Sequence, residues 1–206
     1  VSRGDHLVRA RRGHAELALP GRKPHEAVRA FLEPLNRAAS TVTTTPFLVS
    51  PKGYMEGRRH GIRLGSEDLI SLKAGPHRYN FSASIEYDVI ENPSASSAAD
   101  KFRVTTRGYM YHLLTEDFQD ILLWHWHPEG HSHYTGPHLH IGKVQLGLNA
   151  VAENFQHVPT GRIAFEDVLL HLIQTSRVET LRTRDESVEV LMSSLQLFHQ
   201  HRTWHA

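Results

Sequence analysis

Residues 78–89 read RYNFSASIEYDV, the most regular alternation in the chain. Tyr79, Phe81, Ala83, Ile85, Tyr87 and Val89 fall on one parity, and Arg78, Asn80, Ser82, Ser84, Glu86 and Asp88 on the other. Strand side chains point to opposite faces with period two, so the pattern predicts a β-strand buried on one face and wet on the other. Outward from it, the small-residue stretch 92–100 reads as a loop and 102–114 as a second long strand. A short acidic turn at 115–119 then leads into the apolar run Ile121, Leu122, Leu123 and Trp124. Strands joined by short turns predict an antiparallel meander, with members at 78–90, 102–114, 120–127 and 138–145. Upstream, the Thr-rich stretch 40–49 ending in Phe47-Leu48-Val49 predicts another strand, turned by Pro51-Lys52-Gly53.

Helical periodicity brackets this sheet. Pro24 opens a pattern in which Val28, Phe31, Leu32 and Leu35 recur at three- and four-residue intervals, with Glu26 near the positive end of the helix dipole. Pro34 predicts a kink or an early end. Near the other terminus, 163–174 carries Ile163, Phe165, Val168, Leu169, Leu172 and Ile173 behind a Pro159-Thr160-Gly161 start. A last helix at 186–201 sets Val188, Leu191, Leu195 and Phe198 on one face, with Asp185 as candidate cap. The expected fold is α+β: an antiparallel meander of four to six strands with an N-terminal helix and two C-terminal helices packed on one face. Residues 1–23 read as a basic irregular arm. Residues 24–206 read as a single domain, with the sheet at 40–145 and the helical part at 160–206.

Composition narrows the chemistry. The absence of cysteine excludes disulfides and thiolate metal sites, leaving imidazole, carboxylate or water to hold any ion. No apolar run reaches the roughly 18 residues a membrane span needs, and the basic amino end lacks signal-peptide character, so a soluble cytoplasmic protein is expected. The net charge of +1 divides into +7 over residues 1–63 and −6 over the rest. That split suits an acidic partner such as nucleic acid, or is an ordinary solvated basic surface.

The chemistry concentrates in residues 124–142, WHWHPEGHSHYTGPHLHIG. His125 with His127, and His138 with His140, have the His-x-His spacing that places two imidazoles on one face of a strand. Paired antiparallel across the Pro- and Gly-containing loop 128–137, the two segments bring four imidazoles to one small volume. Neutral imidazole suits Zn, Ni, Fe or Cu, so a divalent transition metal, Zn first, is the expected cofactor, held by His125, His127, His138 and His140. Of these, His138 and His140 rank first, because Pro137 and Gly142 fix the ends of their segment.

Two other readings use the same residues. Without metal, one neutral and one protonated imidazole can act as general base and acid in phosphodiester cleavage. More plainly, His125 and His127 are half-solvated strand residues, with Trp124 and Trp126 packing the opposite face. The expected catalytic set is His125, His127 and Glu129, the last as a water-activating base or further ligand. Arg103 and Arg107, on one strand face, together with Lys143 form the expected phosphate-binding set. His112, Tyr109 and Tyr111 read first as packing residues.

The run 109–142, YMYHLLTEDFQDILLWHWHPEGHSHYTGPHLHIG, resembles the segment by which TumE-like proteins are recognised, the proposed toxins of a bacterial toxin–antitoxin pairing. The shared features fall on Tyr109, Tyr111 and His112, on Glu116 and Asp117, on Trp126, and on Pro137, His138, His140 and Gly142. They cover about a sixth of the chain. His127 stands where that family tends to have Asp, and this chain is considerably longer than the compact toxins. The resemblance implies a nucleic-acid- or translation-directed activity and an antitoxin-like protein partner. The expected function is thus a histidine-cluster hydrolase of phosphodiesters, RNA first. The alternative is a non-catalytic protein whose cluster binds metal or forms a pH-responsive interface.

Overall fold

The structure is a computed structural model that describes residues 20–129, 134–146 and 156–201. Helix α1 (Pro24–Ala39) is followed by strands β1 (Phe47–Val49), β2 (Arg59–Leu64), β3 (Ile70–Ala74), β4 (His77–Glu91), β5 (Phe102–Thr115), β6 (Asp120–Trp126), β7 (His138–Ile141) and β8 (Val158–Pro159). Helices α2 (Phe165–Gln174) and α3 (Arg184–His201) complete the fold. The strands form one antiparallel sheet in the order β1-β2-β4-β5-β6-β7-β8, with β3 also paired to β4. The α+β class is as the pattern predicts, with eight strands in place of four to six.

The difference in strand number follows from the length of β4. Its fifteen residues are long enough for β3 to pair with 77–81 and β2 with 84–88 along the same edge, while β5 runs along the other. Neither short strand announces itself: RHGIRL and ISLKA mix Gly or charge with few apolar residues. The predicted inner parity of β4 is the core, with Phe81, Ala83, Ile85, Tyr87 and Val89 all buried. Phe165 of α2 meets Phe47 at 5.0 Å, Tyr111 at 5.8 Å and Phe81 at 6.5 Å, and Phe31 of α1 meets Tyr87 at 5.9 Å. Apolar burial of this kind contributes roughly 1.5–3 kcal/mol per large side chain. All three helices pack on this side of the sheet, which leaves the other parity of β4–β8 free for polar residues.

Element ends differ from expectation for identifiable reasons. Helix α1 does not stop at Pro34 but continues to Ala39. Ser40 Oγ and Thr41 Oγ1 then bond back to the carbonyls of Arg37 and Ala38, so β1 begins only at Phe47 and not at 40. Helix α2 starts at Phe165 and not 163, where Asp167 accepts from the Ala164 N–H at 3.0 Å. Asp185 is not the cap of α3. Thr183 and Glu186 form a reciprocal capping pair, Glu186 N–H to Thr183 Oγ1 at 3.3 Å and Thr183 N–H to Glu186 Oε2 at 3.1 Å. The buried face of α3 is Ser187, Leu191 and Ser194, with Val188, Leu195 and Phe198 only half-buried. Strand β7 ends at Ile141, followed by a 3₁₀ turn over Lys143–Gln145 and not by more strand.

An ionisable group, Glu166, lies inside the core. Glu166 is 1% exposed, with Oε1 2.6 Å from Ser194 Oγ, which is itself 3.2 Å from the Pro34 carbonyl. A hydroxyl has one proton and the Pro34 carbonyl can only accept. A protonated Glu166 therefore completes the chain, donating to Ser194 Oγ while Ser194 donates to Pro34. Burial pushes the Glu166 carboxyl up, in the same sense.

Of the basic arm, only its end falls among the described residues, and there Gly21 bridges Phe102 through bonds of 2.8 and 2.7 Å. Residues 1–19 lie outside them. No helix among the described residues is long and apolar enough to cross a membrane. Among those residues, β8 is the outermost strand beyond β7: Val158 pairs with Leu139 and Pro159 with His138.

Candidate metal centre

The register of β6 and β7 assembles the centre. Trp124 pairs with Leu139 and His125 with His138, so the tryptophans and Leu139 turn to the helices and the histidines to the open face. Trp124 packs edge-on against His171 of α2, and the Arg162 guanidinium lies 3.8 Å over the Trp126 ring. Tyr109 and Tyr111 are buried on the same inner side, stacked at 5.0 Å, and Tyr109 Oη accepts from the Ile163 N–H at 3.0 Å. They are packing residues, as expected, and the bulge at Arg107 separates them from the parity they share with it in sequence.

On the open face, His125 lies 4.1 Å from His127 and 5.2 Å from His138, ring centre to ring centre. His138 lies 5.6 Å from His127 and 4.8 Å from His140. All four predicted imidazoles therefore share one patch. A fifth, His157, was not anticipated: it lies 4.7 Å from both His138 and His140. Continuing the pairing of Pro159 with His138 and Val158 with Leu139 places His157 opposite His140. Two triads result, His125/His127/His138 and His138/His140/His157, and in each the candidate ligand atoms lie within 4.8 Å of one another. Four-coordinate Zn holds nitrogens at about 2.0–2.1 Å, which separates tetrahedral donors by roughly 3.3 Å. Binding an ion in either triad would require side-chain rotations that draw the donors together by up to about 1.5 Å.

His138 is the shared member, and its state is defined by a bond. Its Nδ1 lies 2.7 Å from the Gly136 carbonyl oxygen, which can only accept, so Nδ1 carries the proton. Nε2 is left with its lone pair, buried and with no hydrogen-bond partner among the described residues. The residue is 1% exposed. A histidine that donates one ring N–H to a backbone carbonyl and leaves the other nitrogen bare has the arrangement of a metal ligand. Burial pushes the His138 pKa down, as do His157 and His127, against the Gly136 bond that raises it. Burial, with His127, His138, His140 and His157 adding to it, brings His125 down to about 4. Both rings are thus neutral at neutral pH, each with one protonated nitrogen and one nitrogen lone pair.

Two glycines let the chain approach this closely. A side chain at Gly142 would run into the Asp120 carbonyl, so only glycine allows β7 to leave β6 there. At Gly136 a Cβ would lie 3.3 Å from the Tyr134 ring, which stands edge-on to His138 at 5.0 Å and stacks on His157 at 5.3 Å.

The charged residues expected around the centre have other attachments. Both Glu129 oxygens accept from Arg59 at 3.1 Å, tying the chain just after His127 to β2. Arg59 also bonds Asp88 at 2.9 Å, and Asp88 accepts from Arg107 at 2.6 Å. Arg103 bonds the His201 carbonyl at 2.6 Å and Asn92 at 3.4 Å. Arg103 and Arg107 therefore do not share a partner: a bulge between Glu86 and Tyr87 leaves Arg107 unpaired on β5 and bonded to Asp88, whereas Arg103 is bonded to the His201 carbonyl and Asn92. Lys143 is exposed on the 3₁₀ turn beyond β7. His112 donates to Asp120 at 2.7 Å. An open cleft of about 590 Å³ borders Arg59 and Arg107, and its charged lining is balanced, with Arg58, Arg59 and Arg107 against Glu56, Asp88 and Glu91. His131 and His133 lie outside the described residues.

Comparison of the sequence and structure with protein-family models, curated proteins and solved structures found no match.

Proposed function

We propose that the open face of the sheet is a divalent transition-metal centre, Zn first, and that the protein is a metal-dependent hydrolase of phosphodiesters. The observation that carries the metal reading is the buried Nε2 of His138, unpartnered among the described residues, on a ring that forms with His125 and His127 a triad whose candidate ligand atoms lie within 4.8 Å of one another. Three protein nitrogens with a coordination position left open are the ligand pattern of catalytic zinc, which lowers the pKa of water and supplies a nucleophile at neutral pH. Both candidate groups among the described residues are all-imidazole, and the carboxylates of Glu129, Asp88 and Asp120 are engaged by Arg59, Arg107 and His112. Such a set leaves the ion its full double charge, which favours an anionic substrate.

The resemblance across 109–142 extends the proposal to RNA as substrate, an antitoxin-like partner and a cytoplasmic setting. The test is metal content after purification without a metal-affinity step, followed by cleavage of an activated phosphodiester and of RNA. Metal at one equivalent, with cleavage that chelation stops and zinc restores, is the expected result. A metal-free protein whose melting temperature does not respond to Zn, Ni or Mn removes the reading.

One observation favours a second reading. Arg103 and Arg107 are bonded within the protein and the cleft beside Arg107 is charge-balanced, so these residues form no cationic cradle for a polyanion. A metal-loaded protein inactive on every phosphodiester would be a non-catalytic metal-binding protein.

A further inference from the structure

The five imidazoles are arranged as two triads that meet at a single nitrogen. His138 belongs to both, yet its Nδ1–H is committed to the Gly136 carbonyl, so only Nε2 can bind an ion. That nitrogen has one lone pair. Bridging two ions through one imidazole requires both ring nitrogens, and here one is bonded to backbone. Occupancy of the two triads is therefore mutually exclusive.

The triads differ in access. His125 and His127 are half-buried beside the buried His138, and the chain after His127 is fastened to β2 by the Glu129–Arg59 pair. His157 is exposed and stands at the outer strand of the described sheet, 4.7 Å from both His138 and the half-buried His140. An incoming hydrated ion meets the exposed triad first. From there it can exchange His140 and His157 for His125 and His127 without releasing His138, so it is never fully rehydrated.

We propose that the protein binds one ion at a time in two overlapping seats, an outer loading seat of His138, His140 and His157 and an inner resting seat of His125, His127 and His138. The proposal rests on the metal reading above and adds the order of binding. Neither His-x-His pair is a site by itself. Each supplies two ligands to one seat or the other, and His138 is the pivot.

Stopped-flow mixing of the metal-free full chain with Co²⁺, read by its visible absorption, tests this alongside the stoichiometry at saturation. The expected wild-type result is one Co²⁺ per chain and two phases, a fast one that scales with metal concentration and a slower one that does not. His157→Ala, at an exposed position where folding is least at risk, and the double variant His140→Ala/His157→Ala lose the fast phase but keep a bound ion. His125→Ala/His127→Ala keeps the fast phase and loses the slow one. Two ions per chain at saturation, or unchanged kinetics in folded His140→Ala/His157→Ala, overturns the two-seat proposal while leaving the metal reading intact. No Co²⁺ uptake by the wild type overturns both.

Discussion

The His138 imidazole donates from Nδ1 to the carbonyl oxygen of Gly136, two residues back, at 2.7 Å. This bond selects the tautomer and orients the ring, leaving Nε2 as the nitrogen with a lone pair. It makes His138 the ligand whose loss matters most. His138→Ala should lower zinc affinity by roughly 100-fold or more, since even second-sphere partners are worth 10–100-fold. At zinc 100 times the dissociation constant, binding stabilises the wild type by about 2.7 kcal/mol. Thermal melts with and without zinc check this: an equal zinc-induced rise in the variant would contradict the assignment.

The metal-free protein should weaken in mild acid. His125 titrates near 6.5 when unfolded and near 4 when folded, because burial and four neighbouring imidazoles disfavour its cation. A depressed histidine pKa contributes stability that is full above 6.5 and is lost as pH falls toward 4. Melting temperatures of the chelator-treated protein between pH 7.5 and 4.5 should drop across that window, and His125→Asn should flatten the drop.

Glu166 should act in the opposite sense. Its carboxyl is raised from 4.5 by burial, so the fold binds its proton more tightly than the unfolded chain does. That contribution is full below 4.5 and declines as pH rises through the folded value. Glu166→Gln can still donate to Ser194 Oγ without ionising. It should match the wild type in acid and exceed it in stability at pH 8. A variant less stable than wild type at both pH values would argue against the neutral carboxyl.

Gly142 is needed for space and not for an unusual backbone angle. Its φ of −68° suits any residue, but a Cβ would collide with the Asp120 carbonyl. Gly142→Ala should cost about 1–3 kcal/mol by overpacking. It should also weaken zinc binding by displacing the end of β7. Denaturant melts and a zinc titration of the same sample separate the two effects.

Arg59 holds Glu129 and Asp88 together while itself one-third exposed. Arg59→Ala should therefore lower stability by only about 1 kcal/mol after solvent screening. If Glu129 serves as a tether, Glu129→Gln and Arg59→Ala should reduce metal affinity to a similar degree. If Glu129 is instead the base expected from sequence, Glu129→Gln should abolish hydrolysis while leaving metal affinity unchanged.

What was legible in the chain depended on how local the cause was. The alternation of residues 78–89 sets both faces of β4 from neighbouring positions alone, and the two His-x-His pairs reveal their shared face in the same way. Strands β2 and β3 were not legible, because their place is created by the excess length of β4 and not by their own composition. His157 was missed for a related reason: β8 has two residues, and only its pairing with β7 carries that imidazole to the patch. The partner of Glu129 lies 70 residues away, and the bulge at Arg107 depends on the facing strand. Neither leaves a periodic trace.

The last pair of β8 has a consequence for self-association. The Thr160 N–H points inward to the Pro137 carbonyl at 3.0 Å, so the neighbouring Pro159 presents its imino nitrogen outward. An added strand from another chain would find no donor there. Among the described residues, the imidazole surface thus borders an edge that resists edge-to-edge polymerisation, through a proline two positions from the exposed His157.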